Sequence, residues 1–209
     1  MRLAVFGATG QVGTVMRSIL AERRFPLDDL RFLASVRSAG RRLPWDGGEV
    51  EVEDVETADL TGIDIALFSM GGKASRVFAP RVAQAGAIVV DNSSAWRMDP
   101  DVPLVVSEVN LHALERMPKG IVANPNCTTM VAMPVVKPLH NAASVRRVVA
   151  STYQAVSGAG REGVAELEEQ VLKTGARMAE LAFDGSAVDM STPVKFPAPV
   201  AFNVVPLAG

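Results

Sequence analysis

The segment that most restricts the fold is Leu3–Phe6 followed at once by Gly7-Ala8-Thr9-Gly10-Gln11-Val12-Gly13. The apolar run reads as a buried strand, and Val12–Arg24 carries apolar residues at helical spacing until Phe25-Pro26 ends it. Strand-like runs then recur at Leu30–Ala34, Asp64–Ser69, Ala87–Asp91, Leu104–Val109 and Ile121–Ala123, with a second helical pattern at Lys73–Ala85 closed by Gly86. Strands that alternate with helices in this way predict a parallel sheet. Val50–Glu53 alternates in the manner of an edge strand. A hydrophobic content of 48% over 209 residues is ample for a packed core.

The glycine turn has a chemical reading. Gly7 and Gly10 permit a tight turn and close approach of a pyrophosphate to the backbone, Gly13 permits close helix–sheet packing, and the helix N-terminus faces the phosphates. Thr9, Gln11 and Val12 fall within the same turn. The spacing is GxxGxxG rather than GxGxxG, a pattern shared with plain strand–turn–helix corners. No acidic residue follows the second strand to hold a ribose 2′-hydroxyl. Instead the chain reads Ser35-Val36-Arg37-Ser38, whose guanidinium and hydroxyl suit a 2′-phosphate, so NADP is expected in preference to NAD. A solvated basic loop is the other reading of Arg37.

The only cysteine stands in Asn124-Pro125-Asn126-Cys127-Thr128-Thr129, where the strand Ile121–Ala123 gives way to a helix. Unpaired N–H groups and the positive end of the helix dipole favour a thiolate there. A lone cysteine is otherwise a small buried hydrophobe. A dinucleotide site followed by an activated thiol suggests aldehyde oxidation through a thioester, or its reverse.

Composition excludes several alternatives. A formal net charge of −2 offers no basic field for nucleic acid or an anionic membrane, and one cysteine excludes an intrachain disulfide. No Cys/His cluster has metal-ligand spacing, so no metal is expected. The opening apolar run is too short for a signal peptide and no stretch approaches the ~20 apolar residues of a membrane span. The chain therefore reads as soluble and cytoplasmic. Beyond Cys127 the pattern changes, with a strand candidate at Val145–Val156 and a helix candidate at Glu162–Lys173, which puts a domain boundary near residue 126. The proline-rich apolar tail Ser191–Gly209 has little charge to solvate it and is expected to pack on further polypeptide beyond it or on a partner chain.

Five motifs in order, GATGQVG at 7–13, DNSSAWR at 91–97, VVSEVN at 105–110, NPNCTT at 124–129 and YQAVSGAG at 153–160, resemble the aspartate-β-semialdehyde dehydrogenases, in wording close to the actinobacterial type. The resemblance implies an α/β fold: a Rossmann-like, mostly parallel sheet with helices over residues 1–126, followed by the start of an α+β catalytic and dimerisation domain over 127–209. It implies interconversion of L-aspartate 4-semialdehyde plus phosphate with 4-aspartyl phosphate, using NADP, on the route to diaminopimelate, lysine, threonine and methionine. By motif, Cys127 is the acyl-thioester nucleophile, Gln154 orients substrate and Arg97 binds phosphate. Thr9 to Val12, Arg37 with Ser38, and Ser157 with Gly158 match cofactor-contacting positions, and Asn126 holds the cysteine turn.

The family's histidine base and later substrate grips have no counterpart motif. His112 and His140 stand in other contexts and read as helix-surface or capping residues. The resemblance thus implies an amino-terminal portion of the enzyme, nearly inactive alone, that forms a dimer or tetramer when full length. N-acetyl-γ-glutamyl-phosphate reductase shares the chemistry, but its cysteine is typically flanked by glycine and an aromatic where this chain has Asn126 and Thr128. A non-catalytic NADP-binding module is the alternative of a different class.

Overall fold

The computed structural model describes residues 1–207. Residues 208 and 209 of the expected tail lie outside the described residues. The chain divides into two compact units, Met1–Ala150 and Ser151–Gly209. The boundary expected at residue 126 from the change of pattern falls earlier, inside the first unit.

The first unit is built on a seven-stranded sheet in the order β3-β4-β2-β1-β5-β6-β7. The strands are β1 (Arg2–Phe6), β2 (Asp29–Ala34), β3 (Arg42–Trp45), β4 (Gly48–Asp54), β5 (Ile65–Phe68), β6 (Ile88–Asp91) and β7 (Ile121–Ala123). All pairs are parallel except β3 with β4. Alternation along β1 explains the layers. Leu3 and Val5 face one side, with Leu20 of helix α1 (Gln11–Glu22), while Ala4 and Phe6 face the other, with Phe78, Ala79 and Val82 of helix α2 (Gly72–Gln84). Phe6 stacks on Phe68 of the neighbouring strand at 4.3 Å between ring centroids.

Three expectations need correction. Val50–Glu53 is not at an edge, because β4 pairs with β2 on one side and β3 on the other. The edge strand β3 is joined to β4 by Asp46-Gly47, both at positive φ, the geometry of a two-residue hairpin turn. Leu104–Val109 is not a strand: Leu104 makes a single bridge to Ala123, and Ser107–Asn110 forms a short helix, α3. The Asn110 side chain accepts from the Val106 N–H at 2.9 Å and donates to the Leu104 carbonyl at 2.9 Å, taking backbone groups a ladder would use. Val145–Val156 also forms no strand. It pairs with no strand among the described residues, and Val148, Val149 and Tyr153 are exposed.

Helix α4 (Cys127–Ala143) completes the first unit. In the second unit, helix α5 (Arg161–Thr174) holds the proline-rich tail through side-chain acceptors. Glu166 accepts from the N–H groups of Val194 and Lys195, and buried Gln170 accepts from those of Val200 and Ala201. Among the described residues no helix is long and apolar enough to cross a membrane, and no group of His, Cys, Asp and Glu could hold a metal ion.

Candidate active site

Because β2, β1, β5, β6 and β7 are parallel, the loops leaving their C-terminal ends lie along one edge of the sheet. That edge is where open α/β sheets bind ligands, at the point where strand order reverses, here between β1 and β5. From β2 to β7 is four strand spacings, about 19 Å. Along it, in order, stand Arg37 and Ser38 after β2, the glycine turn after β1, Ser69–Gly71 after β5, Asn92–Arg97 after β6 and Asn124–Cys127 after β7.

The glycine turn is locked by backbone. Gly7 N–H donates to the Leu33 carbonyl at 2.7 Å, Gly10 N–H to that of Gly7 at 2.9 Å, and Ser69 N–H to that of Phe6 at 2.9 Å. Gly7 has φ +83°, and a Cβ there would lie 2.4 Å from the Ser69 carbonyl oxygen. A Cβ on Gly13 would lie 2.2 Å from the Gly7 oxygen, so this glycine admits α1 onto the turn itself. Gln11 and Val12 form the first turn of α1, which carries no acidic residue to compete with an anion. The Thr9 hydroxyl donates to the Ser38 hydroxyl at 3.2 Å, joining two positions that the sequence singles out separately. Arg37 lies beside it in the single turn Val36–Ser38. These residues fit a dinucleotide: backbone open to phosphate at the glycine turn, and a guanidinium and hydroxyls one strand away.

Arg17, not singled out in the sequence, braces the turn from α1. Its Nε donates to the Ala8 carbonyl at 3.2 Å and its guanidinium lies 5.5 Å from the Phe32 ring centroid. Burial pulls its pKa below the ordinary arginine value.

At the far end, Cys127 is the exposed first residue of α4. Asn126 caps that helix: its Oδ1 accepts from Thr128 N–H at 3.0 Å and from the Thr128 hydroxyl at 2.6 Å, with Cys127 Sγ at 3.7 Å. Arg97 is drawn onto the same turn. Its Nε donates to the Asn124 carbonyl at 2.8 Å, and its Nη2 to those of Asn92 at 3.1 Å and Pro125 at 3.3 Å. Two residues beyond this arginine, the Lys119 ammonium bonds Asp99 at 2.6 Å and holds its carboxyl below the ordinary value.

Among the described residues, neither histidine has a hydrogen bond to the thiol. His140 is thirteen residues along α4 from Cys127, about 20 Å at the helical rise, with Nδ1 3.4 Å from the Val145 carbonyl. His112 is exposed in the single turn Leu111–Glu115. In the second unit, Gln154 is exposed, with Nε2 3.5 Å from the Thr152 hydroxyl, and Ser157 and Gly158 are exposed in the turn Val156–Ala159.

The family model described as "Semialdehyde dehydrogenase, NAD binding domain" matches residues 2–117. The chain belongs to the semialdehyde dehydrogenase family. A second model, the dimerisation domain of these semialdehyde dehydrogenases, matches residues 136–209, so Cys127 falls on the segment joining the two. The chain is 60% identical over 209 residues to the aspartate-semialdehyde dehydrogenase of Streptomyces akiyoshiensis and 57% identical over 212 to that of Mycolicibacterium smegmatis. The match covers 100% of this chain and 61% of each relative, so the chain spans about three-fifths of their length. Among solved structures of semialdehyde dehydrogenases, it is similar to aspartate semialdehyde dehydrogenase II complexed with ASA from Vibrio cholerae, with a TM-score of 0.88, 41% identity, and coverage of 99% of this chain and 59% of that one.

Proposed function

We propose that this chain carries the cofactor site and nucleophile of an NADP-dependent aspartate-semialdehyde dehydrogenase. The reaction interconverts L-aspartate 4-semialdehyde plus phosphate with 4-aspartyl phosphate, in lysine/diaminopimelate, threonine and methionine biosynthesis. The observation that supports it best is the single edge running from Arg37 and Ser38, past the glycine turn, to Arg97 and Cys127. It suits an extended dinucleotide whose reactive end reaches the thiol.

In the oxidative direction Cys127 Sγ attacks the aldehyde carbon and a thiohemiacetal forms. NADP, when bound, supplies the hydride acceptor, and a thioester to Sγ remains. Arg97, fixed on the carbonyls that precede Cys127, holds a phosphate whose oxygen attacks the thioester and releases the thiolate. By motif, Gln154 is assigned the orientation of substrate, and Ser157 with Gly158 cofactor contacts. Functionally the division lies at residue 126: residues 1–126 bind NADP and 127–209 begin the catalytic and dimerisation part, through which the full-length protein forms a dimer or tetramer in the cytoplasm. No nucleic acid, membrane or metal takes part.

The test is NADPH formation from L-aspartate 4-semialdehyde with and without phosphate. It is run on this chain and on a chimera completed with the remainder of the Streptomyces akiyoshiensis relative. Phosphate-dependent turnover is expected of the chimera, and little or none of this chain alone. Phosphate-independent turnover, or preference for N-acetylglutamate semialdehyde, would sink the assignment. For the cofactor, Arg37→Ala is expected to weaken NADP by about tenfold or more, the worth of a charge-assisted hydrogen bond, and NAD hardly at all. Equal losses by titration of both would remove Arg37 from the 2′-phosphate site.

A further inference from the structure

Asp91 ends β6 fully buried, and the thioester chemistry makes no use of its carboxylate. Its Oδ2 accepts from the hydroxyls of Ser75 at 2.7 Å and Ser93 at 2.6 Å, and its Oδ1 from the Ser93 N–H at 3.0 Å. Ser75, also fully buried on α2, accepts in turn from Trp96 Nε1 at 2.8 Å, and Ser93 Oγ accepts from the Ala95 N–H at 3.1 Å. One carboxylate therefore gathers the loop from Ser93 to Trp96, and the next residue is Arg97. The Asp91 backbone serves the same place, since its carbonyl accepts from the Asn124 N–H at 2.8 Å, at the start of the cysteine turn.

A buried carboxylate costs a great deal unless every lone pair is used. A purely apolar strand end would pack as well. What the carboxylate adds is a fixed path for the loop, held by three donors on one side and by the Trp96–Ser75 link on the other. We infer that Asp91 is a positioning residue that acts through Ser75, Ser93 and Trp96 to fix the Asn92–Arg97 loop, so that Arg97 is held on the turn before Cys127. The inference rests on the proposed role of Arg97 beside the thiol.

The experiment reads the charge beside Cys127 without requiring turnover. Because the chain has one cysteine, alkylation by anionic iodoacetate and by neutral iodoacetamide reports on that thiol alone, and the ratio of the two rates reports local positive charge. At low ionic strength Arg97→Ala is expected to lower the ratio about fivefold. Asp91→Asn, which keeps the size but places an amide against two hydroxyls, is expected to lower it about threefold.

The sign is diagnostic. Removing a negative charge should by itself raise the ratio, so a fall reports displacement of Arg97. In the Arg97→Ala background Asp91→Asn is expected to produce no further fall. Trp96→Phe, which removes only the indole donor, should lower the ratio in the same direction, and it decides the matter if Asp91→Asn fails to fold by circular dichroism.

An unchanged or raised ratio in the folded variant overturns the inference. So does a fall that persists undiminished without Arg97. Coupling that survives where phosphate-dependent turnover fails supports the positioning role and overturns the reaction instead. Turnover without coupling overturns the positioning role alone.

Discussion

Placed in the chimera, Cys127→Ser is expected to abolish phosphate-dependent NADPH formation, a loss of about 10⁴-fold or more, and in this chain to leave the fold intact. A serine hydroxyl at the same helix start is too weakly acidic for the N–H groups and dipole to supply an alkoxide at neutral pH. Packing is not at stake, since Cys127 is exposed, the Asn126 cap is carried by Thr128, and the long thiol bond to Asn126 Oδ1 at 3.7 Å is one that a serine hydroxyl could also make. Stability should therefore shift by less than about 0.5 kcal/mol. NADPH affinity should stay within about twofold, and labelling by one equivalent of iodoacetamide should vanish. Activity assayed beside thermal melting and cofactor titration checks all of this. A serine variant that retains a tenth of the rate would take the nucleophile role away from Cys127.

The sequence makes legible what short stretches decide for themselves. The turn from Gly7 to Gly13, the strands β1, β2, β5, β6 and β7, and helices α1, α2 and α5 each follow from local periodicity and punctuation. The hairpin at Asp46-Gly47 is equally local, and Arg42 lies on its first strand, β3, where it pairs with Glu49. Val145–Val156 shows the opposite limit. Its β-branched composition suits a strand, but a strand exists only with a neighbour, and composition does not say whether one is present. Leu104–Val109 departs from the strand pattern because one side chain, Asn110, outcompetes the ladder. At the site, motif resemblance locates Arg97 and Cys127. It does not show that Arg97 is held by three carbonyls, or that Asp91 organises the loop before it, because those contacts join Ser75, Asp91, Trp96 and Asn124 across separate elements.

The second large effect lies in the glycine turn, where three glycines should behave differently when each is replaced by alanine. At Gly7 the new methyl would meet a backbone oxygen at 2.4 Å on a residue with φ +83°, and at Gly13 it would meet the Gly7 oxygen at 2.2 Å and the Ala8 Cα at 2.9 Å. Backbone atoms of the loop after β5 and of the turn cannot swing aside as a side chain would. Each substitution should cost about 3 kcal/mol, from overpacking and, at Gly7, the added backbone strain. That corresponds to a fall in melting temperature of roughly 6–12 °C, with loss of NADPH binding. Gly10 differs: its φ is −76°, and its methyl would meet only the Gly7 oxygen, at 3.2 Å. Gly10→Ala should melt within a few degrees of the parent, yet bind NADPH about tenfold more weakly, because the methyl takes space that a pyrophosphate would use. The series thus separates glycines that the fold demands from one that the ligand demands. Unimpaired NADPH binding by Gly10→Ala would move the pyrophosphate off this turn, and a Gly13→Ala variant as stable as the parent would show that α1 can withdraw from it.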